Sequence, residues 1–125
     1  MIAIIQARMN SRRLPGKTLM NINGKPLLLR VIDRLRKSKK ITKILIATSN
    51  TKKDKKIISF CKKYKIPYFS GYLKNVSKRF SDCLKLHSKE YDSFIRISAD
   101  SPLLDINLLD KMISIFNKND CEILT

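Results

Sequence analysis

A chain of 125 residues with 43% apolar and 30% charged residues can build one domain around a real core, and its composition excludes intrinsic disorder. Lys and Arg number 27 against 10 for Asp and Glu, a formal net charge of +17, so the surface either attracts nucleic acid, anionic membrane or phosphorylated ligands, or is generically lysine-rich. No apolar run approaches membrane-spanning length and the N-terminal one is too short for a signal-peptide core, so the chain reads as cytoplasmic, without a membrane partner.

Ile2-Ala3-Ile4-Ile5 is a short apolar run of the kind shown by a strand buried on both faces. It breaks into a cationic loop carrying Arg8, Asn10, Ser11, Arg12, Arg13, Pro15, Gly16 and Lys17. Ile22-Asn23-Gly24-Lys25 reads as a turn, with Pro26 at the first position of a helix whose inner face is Leu27, Leu28, Val31, Ile32 and Leu35. Ile44-Leu45-Ile46-Ala47 is a second buried strand, ending in the polar Thr48-Ser49-Asn50. Ile57, Ile58, Cys61 and Tyr64 set the inner face of the next helix, and Pro67-Tyr68-Phe69 is a short third strand closed by Ser70-Gly71.

A helix from about Val76 to Ser88 follows, packed through Val76, Phe80, Cys83 and Leu84, with His87 continuing that face. Phe94-Ile95-Arg96-Ile97 is a fourth strand, and Leu108, Leu109, Met112, Ile113 and Phe116 line a last helix capped by Asp105. Residues 121–125 look like the start of another strand. Strands alternating with helices at this spacing predict an α/β fold: a three-layer α/β/α arrangement around a mostly parallel sheet, in one domain over residues 1–125.

Cys61, Cys83 and Cys121 form no CxxC pair and sit among apolar neighbours, as small core residues of a reduced compartment do. His87 is the single histidine and has no partner at ligand spacing, which favours a packed residue over a metal ligand or base. The lysine clusters at 37–40 and 52–65 have no interleaved aromatics to stack on bases, which argues against nucleic acid and for a generic basic surface.

Two places stand at carboxyl ends of predicted strands, where open parallel sheets hold ligands. One is the loop with Arg8, Arg13 and Lys17; the other is Asp100, directly after the fourth strand. Cations facing a carboxylate suit a nucleoside triphosphate with Mg²⁺, the cations neutralising phosphates and Asp100 holding the metal. Such chemistry needs no nucleophilic side chain. The competing readings are a loop that is basic because the protein is basic, and an Asp100 that merely shapes the Asp-Ser-Pro turn. Neither a Walker A motif nor a GxGxxG is present, and Thr18 after Gly16-Lys17 counts for nothing as a Walker residue.

IIQARMNSRRLPGKTL followed by INGKPLL closely resembles the amino-terminal signature of the cytidylyltransferase family. That family includes the CMP-Kdo and CMP-sialic acid synthetases, and the spore-coat polysaccharide biosynthesis F-type branch is nearest. ILIATSN, Arg79 in NVSKRF, and RISADSPLLD extend the likeness across essentially the whole chain. The resemblance implies a Rossmann-like, nucleotide-diphospho-sugar transferase fold that joins CTP to an acidic sugar and releases pyrophosphate, in surface-polysaccharide biosynthesis. By position, Arg8, Arg13 and Lys17 would hold the triphosphate with Asn10 and Ser11 in the same loop. Asp100 would ligate Mg²⁺, and Arg79 would lie near the base. Ala99 replaces a Gly before the aspartate, Lys78 replaces an acidic residue before Arg79, and Ser98 stands where CMP-sugar synthetases often carry a base-reading Gln; this last departure leaves the base, and so CTP itself, open.

The family's sugar-recognition and dimerisation segments, and its second metal-binding aspartate, fall beyond the point matching Thr125. The expectation is therefore an amino-terminal nucleotide-binding part that is incomplete as an enzyme and either self-associates or is marginally stable. Its rival is a noncatalytic module that binds nucleotides or polyanions.

Overall fold

β1 (Ile2–Gln6) runs through the centre of the molecule, with Ile2, Ala3, Ile4 and Ile5 wholly buried. Successive side chains of a strand point to opposite faces, so burial of all four requires a covering layer on each side. The structure, a computed structural model, describes residues 1–72, 74–86, 90–119 and 122–124. After β1 the chain passes through a 3-10 turn at Lys17–Leu19 into a small hairpin of β2 (Asn21–Ile22) and β3 (Lys25–Pro26). Asn23 and Gly24 have φ of 48° and 85°, the left-handed pair that a two-residue hairpin loop favours. There follow α1 (Leu27–Leu35), β4 (Lys43–Ser49), α2 (Lys55–Lys63), β5 (Tyr68–Gly71), α3 (Val76–Lys85), β6 (Phe94–Ser98) and α4 (Ile106–Lys118).

The main sheet is wholly parallel in the order β5–β4–β1–β6, with Ile4 opposite both Leu45 and Arg96. The chain steps outward from β1 to β4 to β5, then returns across the sheet to place β6 on the far side of β1. Crossovers of one hand that run in opposite directions must lie on opposite faces. Accordingly α1 and α2 pack on one face, joined there by α4, while α3 packs on the other. Ala3, Ile5 and Ile46 meet Leu28, Ile32, Leu35, Ile57, Leu109 and Ile113 in the larger core. Among the described residues, Ile2, Ile4, Leu45 and Ala47 meet Phe80 and Cys83 as their buried partners in the smaller one. This is the three-layer architecture the sequence predicts.

Polar ties fasten α1 to the segment around α4. The Arg34 Nε–H donates to the Leu104 carbonyl at 2.8 Å, the Lys39 amide donates to the Asp110 carboxylate at 3.0 Å, and the Ser38 hydroxyl donates to the same carboxylate. Asp105 caps α4 by accepting from the Asn107 and Leu108 amides, and Asn75 caps α3 by accepting from the Lys78 amide.

Several details depart from expectation. Pro26 precedes α1 rather than opening it, at the cap position. Phe60 is buried and belongs to the inner stripe of α2, whereas Ile58 is half-buried at its margin. Leu108 is 56% exposed, because at about 100° per residue it falls outside the stripe of Ile106, Leu109 and Ile113. Pro67, which has no N–H to give a ladder, stays outside β5, though its carbonyl accepts the Ile46 amide at 3.0 Å. α3 ends at Lys85; His87 and Ser88 lie outside the described residues. Glu122–Leu124 form no strand and instead line an apolar groove of about 680 Å³ with β6 and α4, while Cys121 and Thr125 lie outside the described residues. Among the described residues β6, not the segment near Ile123, is the outer strand beside β1.

Candidate functional site

The strand order reverses between β1 and β6, and the carboxyl ends of neighbouring strands at such a reversal frame the usual ligand crevice of an open parallel sheet. A cavity of about 400 Å³ lies there, lined by Gln6, Arg8, Ser11, Arg12, Arg13, Lys17 and Thr18 from the β1 side and Arg96, Ser98, Ala99 and Asp100 from the β6 side. Five of those residues are cations and one is a carboxylate, so the cavity favours an anion.

The loop keeps its shape through bonds at its neck. The Gly16 amide donates to the Met9 carbonyl at 2.9 Å, and the Thr18 hydroxyl donates to the Arg8 carbonyl at 2.8 Å. Gly16 sits at φ 78°, where a side chain would be strained, and so turns the chain into the 3-10 segment that presents Lys17. Met9 donates its amide to a carboxylate oxygen of Asp54, from the turn after β4, at 2.7 Å. Arg8, Arg12 and Arg13 remain exposed above this scaffold.

Across the cavity, Lys17 pairs with Asp100, and the Ser98 hydroxyl donates to the other Asp100 oxygen. The Lys17 ammonium first, and the Ser98 hydroxyl second, hold the Asp100 carboxyl below its usual value. Asp100 therefore stays ionised. Among the described residues no group of three or more His, Cys, Asp or Glu could cage a metal. Mg²⁺ commonly takes only one or two carboxylates, with phosphate oxygens and water completing its shell. Asp100 fits that donor set when a phosphate is present.

The cavity thus brings together Arg8, Ser11, Arg13, Lys17, Ser98 and Asp100 of the predicted set. Two predicted residues do not line it. Asn10 is exposed on the same loop. Arg79 is only 2% exposed: its guanidinium donates to the Tyr72 carbonyl at 2.8 Å, and its side chain packs against Gly71, where an added Cβ would come within 3.2 Å of the Arg79 Cγ. Burial pulls the Arg79 pKa down; the Asp54 charge pushes it back up, and the Arg8 charge lowers it further. Thr18 and Asp54 were not singled out from the sequence. Thr18 is adjacent to a recognised residue, but the bond that matters is to a main-chain carbonyl.

A sequence description of the cytidylyltransferase family matches residues 2–124. The chain belongs to the cytidylyltransferase family. It is 38% identical over 119 residues to an uncharacterized protein of Methanocaldococcus jannaschii, covering 95% of this chain and 48% of that one. It is 31% identical over 122 residues to an 8-amino-3,8-dideoxy-manno-octulosonate cytidylyltransferase of Shewanella, covering 97% and 49% respectively. A cytidylyltransferase structure from Leptospira borgpetersenii superposes with a TM-score of 0.87 at 31% identity, covering 98% of this chain and 51% of that one. The mostly parallel sheet with flanking helices is the fold of that family. The chain spans about half the length of these relatives. No helix among the described residues is long and apolar enough to cross a membrane.

Proposed function

We propose that this domain holds a nucleoside triphosphate, CTP foremost, in the cavity between the β1 and β6 ends. In this reading it is the nucleotide-binding part of a transferase that joins the nucleotidyl group to an acidic sugar and releases pyrophosphate, in surface-polysaccharide synthesis. The observation that carries the reading is the convergence of Arg8, Arg13, Lys17 and Asp100, from segments far apart in sequence, on one cavity at the strand-order reversal. The manno-octulosonate cytidylyltransferases among the relatives support an acidic sugar as acceptor.

Arg8 and Arg13 neutralise phosphate charge, and Lys17 shares its ammonium between Asp100 and the phosphates. Ser98 orients the Asp100 carboxylate. Mg²⁺, held by Asp100 and the phosphates, would supply further charge neutralisation during displacement of pyrophosphate. A second reading, a noncatalytic nucleotide- or polyanion-binding module, is favoured by the single carboxylate lining the cavity.

Calorimetry with CTP, the other nucleoside triphosphates and pyrophosphate, each with Mg²⁺, tests the proposal. CTP is expected to bind more tightly than bare pyrophosphate, and Arg13→Ala and Lys17→Ala each to weaken it by about 1.5–3 kcal/mol without unfolding the chain. Equal affinity for CTP and pyrophosphate would reduce the site to an anion patch. Unchanged affinity in both variants would return the residues to a generic basic surface. Pyrophosphate release from CTP with a panel of sugar acids bears on the second reading: turnover by this chain excludes a noncatalytic module.

A further inference from the structure

Asp54 is 1% exposed, although it lies in a lysine-rich turn that the sequence presents as surface. Burying a carboxylate is unfavourable unless hydrogen bonds and opposite charge compensate it. Here both oxygens are engaged. One accepts the Met9 amide at 2.7 Å and the other accepts the Ser49 hydroxyl. Ser49 is itself buried and lies 3.0 Å from the Thr51 hydroxyl, whose residue shapes the same turn by accepting the Asp54 amide at its carbonyl, 3.1 Å away. The main-chain carbonyl of Asp54 receives the Ile57 and Ile58 amides and so roots the residue in the first turn of α2.

Met9 lies between Arg8, which lines the cavity, and the loop tip that carries Ser11, Arg12 and Arg13. Its carbonyl receives the Gly16 amide while its own amide goes to Asp54. One peptide segment is thus gripped from both sides, and Asp54 is the grip that comes from outside the loop.

We propose that Asp54 is a positioning residue of the nucleotide site, fixing the Met9 peptide so that Arg8 and the Arg12–Arg13 tip face the cavity together. The inference rests on the anion-binding reading above and deepens it: the turn after β4 belongs to the site although it touches no ligand. Asn at 54 loses, as Ala does, the charge that faces the buried Arg79, but it preserves the hydrogen bonds, since its carbonyl oxygen accepts the Met9 amide and its NH₂ donates to a Ser49 oxygen that reverses its role. Ala does not.

The test uses the full chain, with pyrophosphate and Mg²⁺ as the probe for affinity and amide hydrogen exchange at Met9 as the probe for the loop. Asp54→Ala is expected to weaken pyrophosphate binding about tenfold or more and to speed Met9 exchange by a similar factor, whereas Asp54→Asn stays within about threefold on both. Parent affinity in Asp54→Ala, or Asp54→Asn as impaired as Asp54→Ala, overturns the proposal. Should Asp54→Ala not fold, Ser49→Ala removes the second donor on the same carboxylate; a loss of about threefold is then expected and parent affinity overturns the proposal. A parent chain that binds no pyrophosphate sinks the nucleotide reading instead, and Met9 exchange in the variants still decides whether Asp54 holds the loop.

Discussion

The two faces of the central sheet are built to different depths. On one, α1, α2 and α4 cover the strands with a continuous apolar layer from Leu28 to Ile113. On the other, α3 is the one covering helix among the described residues, and beside it an open cavity of about 710 Å³ runs between Phe80, Leu84, Tyr91, Phe94 and Arg96. Both faces exclude water from β1 equally well, since Ile4 and Ile5 are each wholly buried. What differs is how many packed neighbours would have to move to let water in. The deep face holds the fold, and the shallow face is where it opens most readily.

Neighbouring residues on one strand give the sharpest way to break this comparison. Ile5 faces the deep layer and Ile4 the shallow one. Cutting a buried Ile to Ala costs about 2–5 kcal/mol depending on how far the surroundings collapse into the gap. Urea denaturation should place Ile5→Ala near the upper end and Ile4→Ala near the lower. Equal losses would mean that the two layers are equally rigid.

A matched pair of thiols sharpens it further. Cys61 is buried under α2 and Cys83 under α3, and burial pushes each thiol up to about 11. Neither thiol is reactive while covered. In a Cys121→Ser background, a thiol reagent should label Cys83 about tenfold faster than Cys61, because α3 opens without the rest of the fold. Labelling at one common rate would show that both faces open only by global unfolding.

The helix caps give the smallest effect. Asp105 accepts two amides at the start of α4 and Asn75 accepts one at the start of α3. Cap removal costs about 0.5–2 kcal/mol. Asp105→Ala should fall in the upper part of that range in global stability and Asn75→Ala in the lower part. The reverse order would place α3, not α4, in the unit whose loss unfolds the chain.

The strands and helices were legible because each carries its own periodicity, and β1 announced its burial through four successive apolar residues. The errors fell where phase decided the outcome. Phe60 is missing from the inner face read for α2 and Leu108 is wrongly included in that of α4, distinctions that pattern counting blurs at the edge of an apolar stripe. In the site, Arg8, Arg13, Lys17 and Asp100 could be read from their positions at strand ends. Asp54 could not, since its contact reaches back 45 residues to a main-chain amide, and no side-chain pattern encodes that. Arg79 is packed beneath β5 and the β4 turn with Asp54 as counter-charge, a burial that a cation on an amphipathic helix does not announce.

The bond from Arg34 to the Leu104 carbonyl has a consequence for how the crevice greets a ligand. Arg34 belongs to the helix that follows the basic loop after the 3-10 turn and the β2–β3 hairpin, and Leu104 closes the short segment that begins at Asp100. Asp110 accepts from Ser38 and the Lys39 amide a little further on, so the helices that follow the two lips of the crevice in the chain are fastened to each other. If the cavity holds an anion as proposed, that fastening would limit how far the mouth widens and leave mainly side-chain tips such as Lys17 to rearrange. Little chain entropy would then be lost on binding, and each contact with a charged tip would count almost in full toward affinity.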